Sequence, residues 1–185
     1  MVIFITGYRR MGKDTLYKQL CGKIPFNWII YRYKDVYKTF PPIKSYKRVA
    51  FADELKREVI EYYKLPYTLE EVEKIKDKCI LSTLTFRDLC IELSKEKRKL
   101  DPNYWINKVK DLVDDNTIIT DWRYPNELYI NDSNTITIRV HRHNVPIPDL
   151  SIESEHALDG YKTDFLLVDK DGLYDGYICY HQHHL

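Results

Sequence analysis

A glycine-rich loop between an apolar run and a helix-forming segment is the feature that most constrains how this chain folds. Val2 to Thr6 is apolar almost throughout, as expected of a strand buried on both faces of a parallel sheet. The next residues, Gly7 to Lys13, read Gly-Tyr-Arg-Arg-Met-Gly-Lys. In Asp14 to Gly22, Leu16 and Leu20 are spaced one helical turn apart, and the closing glycine suits a helix C-terminus. The sequence therefore predicts a central strand, a tight loop and a helix in direct succession.

The loop has the spacing of a phosphate-binding Walker A motif: a first glycine, a four-residue gap and a Gly-Lys pair. Glycine lets the backbone curl around a pyrophosphate with its N–H groups pointing inward, and the helix start that follows favours anions. Lys13 is expected to reach the β- and γ-phosphate oxygens, while Arg9 and Arg10 either steady phosphate charge or face solvent. The predicted ATP contacts in this segment are Gly7, Arg9, Arg10, Met11, Gly12, Lys13, Asp14 and Thr15.

Magnesium is the cofactor that this motif implies, and the sequence leaves its ligand open. The general pattern places Ser or Thr directly after the lysine, whereas Asp14 stands there in this chain and Thr15 follows. Either Asp14 holds Mg²⁺ through water while Thr15 bonds a phosphate, or Thr15 serves the metal. Asp121 is a third predicted metal contact, because it ends an apolar run where a carboxylate orients Mg²⁺ through water.

Further apolar runs and helical patterns predict the fold class. Strands are expected at Trp28 to Tyr33 (an edge strand), Arg48 to Phe51, Thr117 to Thr120, Ile136 to Val140 and Phe165 to Val168. Helices are expected at Ala52 to Tyr63, Glu70 to Lys78 after a Thr68–Glu71 capping box, Phe86 to Leu93 and Tyr104 to Val113. This order predicts an α/β fold, a P-loop NTPase αβα sandwich with a mostly parallel central sheet. With 185 residues, we expect a single domain over 1–185 with a helical acceptor and lid region at about 53–113.

Charge and hydropathy speak against several classes of partner. The formal net charge is +1 and no basic stripe interleaved with aromatic residues occurs, so no nucleic-acid partner is expected. The apolar runs are strand-sized and no leader opens the chain, so we expect no membrane partner and a cytoplasmic location. The scattered cysteines lack a C-x-x-C pair and are predicted to be free, mostly buried thiols: Cys21, Cys79, Cys90 and Cys179. The terminal His181 to Leu185 is assigned no function.

Several motifs in fixed order resemble the deoxynucleoside monophosphate kinases of phages and large DNA viruses. The Gly-Lys-Asp-Thr of residues 12–15 is similar to the loop of that family, in which the aspartate is usual. The further matching blocks are Val49 to Lys56, Thr85 to Leu89, Asp101 to Ile106, Ile119 to Glu127, and Ser154-Glu155 followed by Leu158. The resemblance implies a P-loop kinase, with ATP as donor, small-molecule nucleotides as partners and a homodimer as the assembly. Where the family often has a histidine, this chain has Ile152, so that histidine's role does not transfer.

The resemblance also implies a set of contacts to the phosphoryl acceptor. Asp53 and Lys56 would begin the acceptor side, although Asp53 also suits a helix N-cap. Arg87 matches the arginine that the family offers to the acceptor phosphate, and Arg98 repeats the idea; a surface ion pair is the alternative for Arg87. The aromatic candidates for contact with the substrate are Tyr104, Trp105 and Trp122, with core packing as the alternative for Trp105.

The predicted catalytic groups are Lys13, Asp121 and Arg123. Arg123 would place a guanidinium beside the transferring phosphoryl group, where it also contacts the substrate; its alternative role is to stabilise the turn that follows. The resemblance further implies an adenine or phosphate contact around the last-but-one strand. Arg142 is favoured over Arg139 there, because Arg142 lies past the end of the predicted strand.

The sequence leaves two other functions open. The same motifs resemble the animal-type phosphomevalonate kinases, which would change the acceptor and keep the fold. A P-loop module that binds nucleotide without turnover is the other alternative, since a fold does not fix an activity. The additional Arg87, Arg123 and Asp121 speak against such a module, because pure nucleotide sensing needs only the donor loop. The expected function is therefore transfer of the γ-phosphoryl group of ATP to a (deoxy)nucleoside monophosphate.

Overall fold

The computed structural model describes residues 1–32, 38–130, 134–149 and 151–169, and the chain divides into two compact units. The first unit comprises Met1–Val49 with the described residues from Val113 onward, and the second is Ala50–Leu112. The second unit covers nearly the same residues as the helical acceptor and lid region expected at about 53–113.

Strands and helices alternate along much of the described chain. The strands are β1 (Val2–Thr6), β2 (Trp28–Arg32), β3 (Lys47–Val49), β4 (Cys79–Leu81), β5 (Leu84–Thr85), β6 (Thr117–Ile119), β7 (Thr135–His141) and β8 (Phe165–Asp169). The α-helices are α1 (Lys13–Leu20), α2 (Phe51–Tyr62), α3 (Leu69–Ile75), α4 (Phe86–Leu100), α5 (Tyr104–Val109) and α6 (Glu153–His156). Short 3₁₀ helices cover Lys110–Leu112 and Pro125–Ile130.

The first unit is built on a six-stranded sheet with the order β2-β8-β7-β1-β6-β3. β1 lies between β7 and β6 and is parallel to both, so the expected central strand is confirmed. β2 is at the sheet edge, as predicted, and pairs with β8 in the antiparallel direction. The carboxyl ends of parallel neighbours lie at one edge of a sheet, which brings the segments after β1, β6 and β7 together.

Both faces of β1 are covered, which explains its continuous apolar sequence. Ile3 and Ile5 belong to a buried cluster with Leu16 and Leu20 of α1. On β1, Phe4 meets the ring of Trp122 edge-on at a centroid distance of 5.9 Å, and Trp122 in turn meets Tyr161 at 5.0 Å. An apolar strand packed in this way anchors whatever follows its last residue.

The second unit is mainly helical, with α2 in contact with α3, α4 and α5. Its buried cluster consists of Val59, Leu65, Val72, Phe86, Leu89 and Leu93. A small hairpin of β4 and β5 precedes α4, and Ser82 in its turn has a φ of 53°. This hairpin was not predicted, because its strands are only three and two residues long.

Capping boxes begin two helices of the second unit. The predicted pairing of Thr68 with Glu71 is confirmed at the start of α3, where both reciprocal hydrogen bonds form. A second box, not predicted, joins Thr85 and Asp88 at the start of α4. α4 continues to Leu100, so the predicted end at Leu93 was too early. The charged residues after Leu93 belong to the helix.

Other expectations differ from the structure in detail. β3 ends at Val49 and α2 begins at Phe51, so the predicted strand through Phe51 was too long. The N-cap of α2 is Ala50, and Asp53 lies in the first helical turn, so the N-cap reading of Asp53 was wrong. The four-residue helix α6 was not predicted.

The described cysteines are less buried than expected. Cys21 and Cys90 are half-buried and Cys79 is exposed, and all three are free thiols. Cys179, the terminal His181 to Leu185 and the last residue of the predicted edge strand, Tyr33, lie outside the described residues. Within the described part of the chain, no helix has the length and apolar character needed to cross a bilayer.

The Thr85–Asp88 box gives a prediction about the stability of the second unit. Thr85→Ala removes the acceptor of the Asp88 amide and should lower the free energy of unfolding by about 1 kcal/mol. Thr83→Ala, at an exposed position in the preceding turn, is the matched control and should change it little. Urea unfolding followed by far-UV circular dichroism measures both; equal losses for the two variants would contradict the capping role.

Candidate functional site

The candidate site begins where β1 ends. Gly7 has a φ of 139°, a conformation that side chains rarely allow. A Cβ atom at this position would lie 2.5 Å from the carbonyl oxygen of Val140 on β7. The loop therefore leaves the sheet in close contact with the neighbouring strand, and only glycine permits that path.

The rest of the loop bends through left-handed conformations before α1. Arg10 has a φ of 68° and Gly12 a φ of 92°, and Gly12 is the N-cap of α1 without a side-chain cap. Backbone turns of this kind expose N–H groups, and a helix start adds further ones, so the segment is suited to an anion. Met11 is buried in the core cluster of the first unit, whereas Arg10 is exposed. The loop thus presents Arg10 to solvent and holds Met11 inside.

Lys13 folds back over the loop that precedes it. Its ammonium group donates to the carbonyl oxygens of Gly7 and Tyr8, at 2.6 and 2.8 Å. Loss of hydration, followed by the positive charge of Arg123, lowers the pKa of Lys13 from 10.5 to about 7. The carboxylates of Glu155, Asp121 and Asp14 oppose that shift. The predicted donor-phosphate lysine is therefore a poorly hydrated cation beside another cation, which favours an added anion.

Arg123 reaches the same loop from the segment after β6. Its Nη1 lies 3.4 Å from the carbonyl oxygen of Gly7, 3.4 Å from that of Ser154 and 3.1 Å from Oε2 of Glu155. The same Oε2 accepts a hydrogen bond from the backbone amide of Arg9 at 3.0 Å. The structure thus brings together Lys13, Arg123, the loop backbone and one carboxylate.

A second carboxylate holds the backbone of Arg123. Glu127 is fully buried, and its Oε2 accepts from the amides of Arg123 at 2.8 Å and Tyr124 at 3.2 Å. The segment therefore follows a fixed path from β6 to the site. The turn after Arg123 is thus held by Glu127 through backbone amides, and these bonds do not involve the Arg123 side chain.

A small cleft opens beside the loop, with about 200 Å³ of empty volume that includes space open to solvent. It is lined by Gly7, Tyr8, Arg123, Arg139 and Glu155, among others. Arg139 is nearly buried, and its Nη2 donates to the carbonyl oxygens of Leu158 at 2.6 Å and Tyr161 at 3.2 Å. These bonds give Arg139 a role in holding the segment after α6.

Arg142 lies against the other end of the loop. A Cβ atom at Gly12 would lie 2.9 Å from both Nε and Nη2 of Arg142, so the guanidinium touches this glycine. The guanidinium also lies over the ring of Trp28, 5.3 Å from its centroid, and forms an ion pair with Asp169 at 3.6 Å. This places the predicted nucleotide contact Arg142 against Gly12, at the end of the loop that leads into α1.

The predicted magnesium contacts carry oxygen atoms, which is the ligand chemistry that Mg²⁺ prefers. Asp14 lies exposed in the first turn of α1 and forms an ion pair with Nε of Arg48 at 3.4 Å. Thr15 follows on the same helix, and Asp121 is close enough to affect the pKa of Lys13. In the described parts of the chain no group of three His, Cys, Asp or Glu side chains could hold a metal. Mg²⁺ does not require one, since it keeps waters and binds substrate phosphates.

In the second unit, the predicted acceptor residues Lys56 and Arg87 form ion pairs. Lys56 contacts Glu73, and it lies 3.6 Å from Asp53. Arg87 Nε donates to Asp77 at 2.8 Å. Arg98 lies half-buried in the last turns of α4. These pairs favour the surface-ion-pair alternative for Arg87, and the acceptor role stays a prediction.

The aromatic candidates differ in how accessible they are. Trp105 and Trp122 are almost completely buried, which agrees with core packing for Trp105 and extends it to Trp122. Tyr104 is half-buried and donates its hydroxyl to Glu58 at 2.6 Å. The ammonium groups of Lys97 and Lys108 lie 5.2 and 5.5 Å from the Tyr104 ring centroid. A base that stacked on Tyr104 would have to compete with these cations.

Sequence reasoning missed the carboxylates that organise both units. Glu155 was noted only as part of a motif, and Glu127 and Glu58 received no role. Partial burial acts to raise the pKa of Glu58, but hydrogen bonds from Tyr104, Lys108 and Lys97 lower it. The one available signal was the position of Glu127 and Glu155 inside matching motif blocks, because no local pattern marks a carboxylate whose partner is distant in sequence.

A scan against models of known protein families and a search of curated proteins both found no match for this chain. The contacts of Lys13 and Arg123 with the Gly7 carbonyl are therefore the main indication of function in this chain.

Proposed function

We propose that this chain is an ATP-dependent kinase that transfers the γ-phosphoryl group to a (deoxy)nucleoside monophosphate, with the diphosphate and ADP as products. The observation that carries the proposal is the convergence of Lys13 and Arg123 on the carbonyl of Gly7, in a glycine loop that follows a central parallel strand. The acceptor phosphate oxygen would attack the γ-phosphorus while the bond to the β–γ bridging oxygen breaks and ADP leaves.

The topology supports the finer proposal of a P-loop NTPase fold. β1 is followed by the glycine loop and then by α1. The later parallel strands β3 and β7 lie on opposite sides of β1 in the sheet. In open α/β sheets, ligands bind outside the carboxyl ends of the strands where the strand order reverses. The glycine loop lies at that position, directly after β1.

The charges at the loop support phosphoryl transfer over simple nucleotide binding. Phosphoryl transfer depends mainly on positioning and on cations that meet the charge spread over the phosphate oxygens. Lys13 suits the donor phosphates, and Arg123 is a second cation at the same loop, held by contacts from two directions. A nucleotide sensor needs no such second cation, so we favour an enzyme.

Mg²⁺ fits the oxygen atoms available near the loop. Asp14, Thr15 and Asp121 are the residues that would hold it, directly or through water. When bound, Mg²⁺ would neutralise charge on the β- and γ-phosphate oxygens. The exposed Asp14 would exchange its contact with Arg48 for the metal or its waters.

The identity of the acceptor rests on the family resemblance and not on the geometry of the loop. Arg87, Arg98, Asp53, Lys56 and Tyr104 are its proposed contacts, and the homodimer is an expectation of the same origin. The cytoplasmic location is instead an expectation from the hydropathy of the sequence. The experiment that tests the function is transfer from γ-labelled ATP with Mg²⁺ to a panel of ribo- and deoxyribonucleoside monophosphates, with mevalonate phosphate included. Label found only on mevalonate phosphate would show that the acceptor is not a nucleotide. ATP binding without transfer to any acceptor would show a nucleotide-binding module and not an enzyme.

Lys13→Ala should abolish transfer while the protein stays folded. The variant removes the ammonium that meets the donor phosphates, and we expect activity to fall by at least about 100-fold, the scale of losing one well-placed electrostatic contact. Lys18→Ala, at an exposed position of the same helix, is the matched control and should keep its activity. Initial rates and melting temperatures of both variants check this; a folded Lys13→Ala protein with most of its turnover would refute the loop assignment.

Nucleotide binding should be accompanied by proton uptake at pH 8. With a pKa of about 7, ligand-free Lys13 is mostly neutral at that pH, and bound phosphates raise its pKa so that it takes up a proton. Well below pH 7, Lys13 is already charged in the free protein, so its uptake should disappear. Calorimetric titration with ADP in buffers of different ionisation enthalpy measures the protons taken up. Lys13→Ala should lack the uptake, and the same uptake in that variant would contradict the assignment.

Arg87 and Arg123 should respond differently to removal. Arg87→Ala should mainly raise the KM for the monophosphate, because an acceptor contact binds ground state and transition state alike. Arg123→Ala should mainly lower kcat, by about tenfold or more. Steady-state kinetics at saturating ATP separate the two effects.

The ion pair of Arg87 with Asp77 supplies the control for that experiment. Asp77→Asn breaks the pair and leaves the guanidinium in place. If Arg87 binds the acceptor, Asp77→Asn should keep the KM near the wild-type value. If Asp77→Asn and Arg87→Ala instead raise the KM equally and have the same melting temperature as each other, the ion pair has a structural role and Arg87 does not bind the acceptor.

A further inference from the structure

Glu155 connects three parts of the first unit through one carboxylate. It belongs to α6, and its Oε2 accepts from Nη1 of Arg123 at 3.1 Å and from the amide of Arg9 at 3.0 Å. The side chains of Glu155 and Arg123 are 12% and 22% exposed, so this ion pair is more sheltered than a surface pair. Its two donors come from the glycine loop and from the segment after β6.

The position of this carboxylate fits the charges around it. Arg123 lowers the pKa of Lys13, which means that the two cations repel each other across the loop, whereas Glu155 raises it. Before any phosphate binds, Glu155 offsets part of that repulsion. Without Glu155, the Arg123 side chain would move toward water, since long cationic side chains favour hydration.

We propose that Glu155 is a positioning residue that holds the Arg123 guanidinium against the glycine loop. The inference rests on the proposed function, because Arg123 matters to turnover only if the loop binds a transferring phosphoryl group. Glu155 itself takes no part in the chemistry. It fixes the orientation of the guanidinium before substrate arrives, so that no free energy is lost in ordering it during transfer.

The backbone contacts of Arg123 support this division of roles. Glu127 fixes the Arg123 and Tyr124 amides from within the same segment, and these backbone bonds do not by themselves select a rotamer of the long Arg123 side chain. Glu155 acts on the other end of that side chain, from a segment 32 residues away. Backbone and guanidinium are thus held separately.

A double-mutant cycle in kcat tests the coupling. Glu155→Ala should lower kcat about tenfold with a smaller change in the KM values, as Arg123→Ala does. The double variant should be no slower than Arg123→Ala alone, because Glu155 acts through Arg123. Effects that multiply in the double variant would overturn the proposal. So would a higher kcat and tighter ATP binding in Glu155→Ala, which would mark the carboxylate as a plug on the phosphate site.

Two further variants separate positioning from loss of structure. Glu155→Gln keeps an oxygen that accepts from Arg9 and Arg123, and it should recover part of the activity lost in Glu155→Ala. Asp159→Asn is the matched control, since Asp159 lines the same cleft and accepts a hydrogen bond from the Tyr8 hydroxyl at 3.0 Å, and Arg123 takes no part in that bond. It should keep kcat near the wild-type value, and a loss equal to that of Glu155→Ala would overturn the specific role of Glu155.

A measurement that needs no turnover distinguishes failure of this inference from failure of the proposed function. A guanidinium held by a carboxylate rotates slowly about its Nε–Cζ bond, and ¹⁵N-edited NMR of arginine side chains detects this; Arg123→Lys assigns the signal. We expect slow rotation in the wild-type protein and in Asp159→Asn, and fast rotation in Glu155→Ala. If the wild-type protein transfers no phosphoryl group, the proposed function fails. The NMR signal of Arg123 then still shows whether Glu155 holds the guanidinium. Slow rotation that persists in Glu155→Ala overturns it.

Discussion

The close approach of Gly7 to the Val140 carbonyl determines where the rest of the site lies. The chain leaves the central strand β1 at a point where a Cβ atom would collide with β7, so the loop stays against the sheet edge. This path puts the carbonyl of Gly7 within reach of both Lys13 and Arg123. A bulkier residue would push the loop away from β7, and both cations would lose their common contact.

Both units contain a sheltered carboxylate that lies among cations. In the first unit, Glu155 lies beside Arg123 and affects Lys13; in the second, Glu58 pairs with Lys97 and Lys108. Such partly buried pairs have a desolvation cost, so their value lies more in fixing geometry than in stability. In the first unit, this geometry holds the Arg123 guanidinium beside the loop for which we propose phosphate binding.

The proposed site residues form two groups: those beside the glycine loop in the first unit, and the acceptor contacts in the second unit. The geometry of the first unit supports the donor side: Gly7, Gly12, Lys13, Arg123 and Arg142 adjoin one loop. The acceptor residues of the second unit depend on the family resemblance, and Lys56 and Arg87 have carboxylate partners within that unit. The proposed chemistry at the loop therefore depends on contacts within the first unit, whereas the proposed acceptor depends on sequence motifs.

The sequence by itself determined the order of strand, loop and helix, the central and edge positions of β1 and β2, and the Thr68 capping box. These features depend on periodicity, glycine spacing and turn chemistry within a few residues, so a local pattern encodes them. Only the tertiary structure decided that Glu155 meets Arg9 across 146 positions, that Arg142 touches Gly12, and that Trp122 packs on Phe4. The strand order makes such residues neighbours, and no short-range pattern records which distant side chain will fill the space beside a loop.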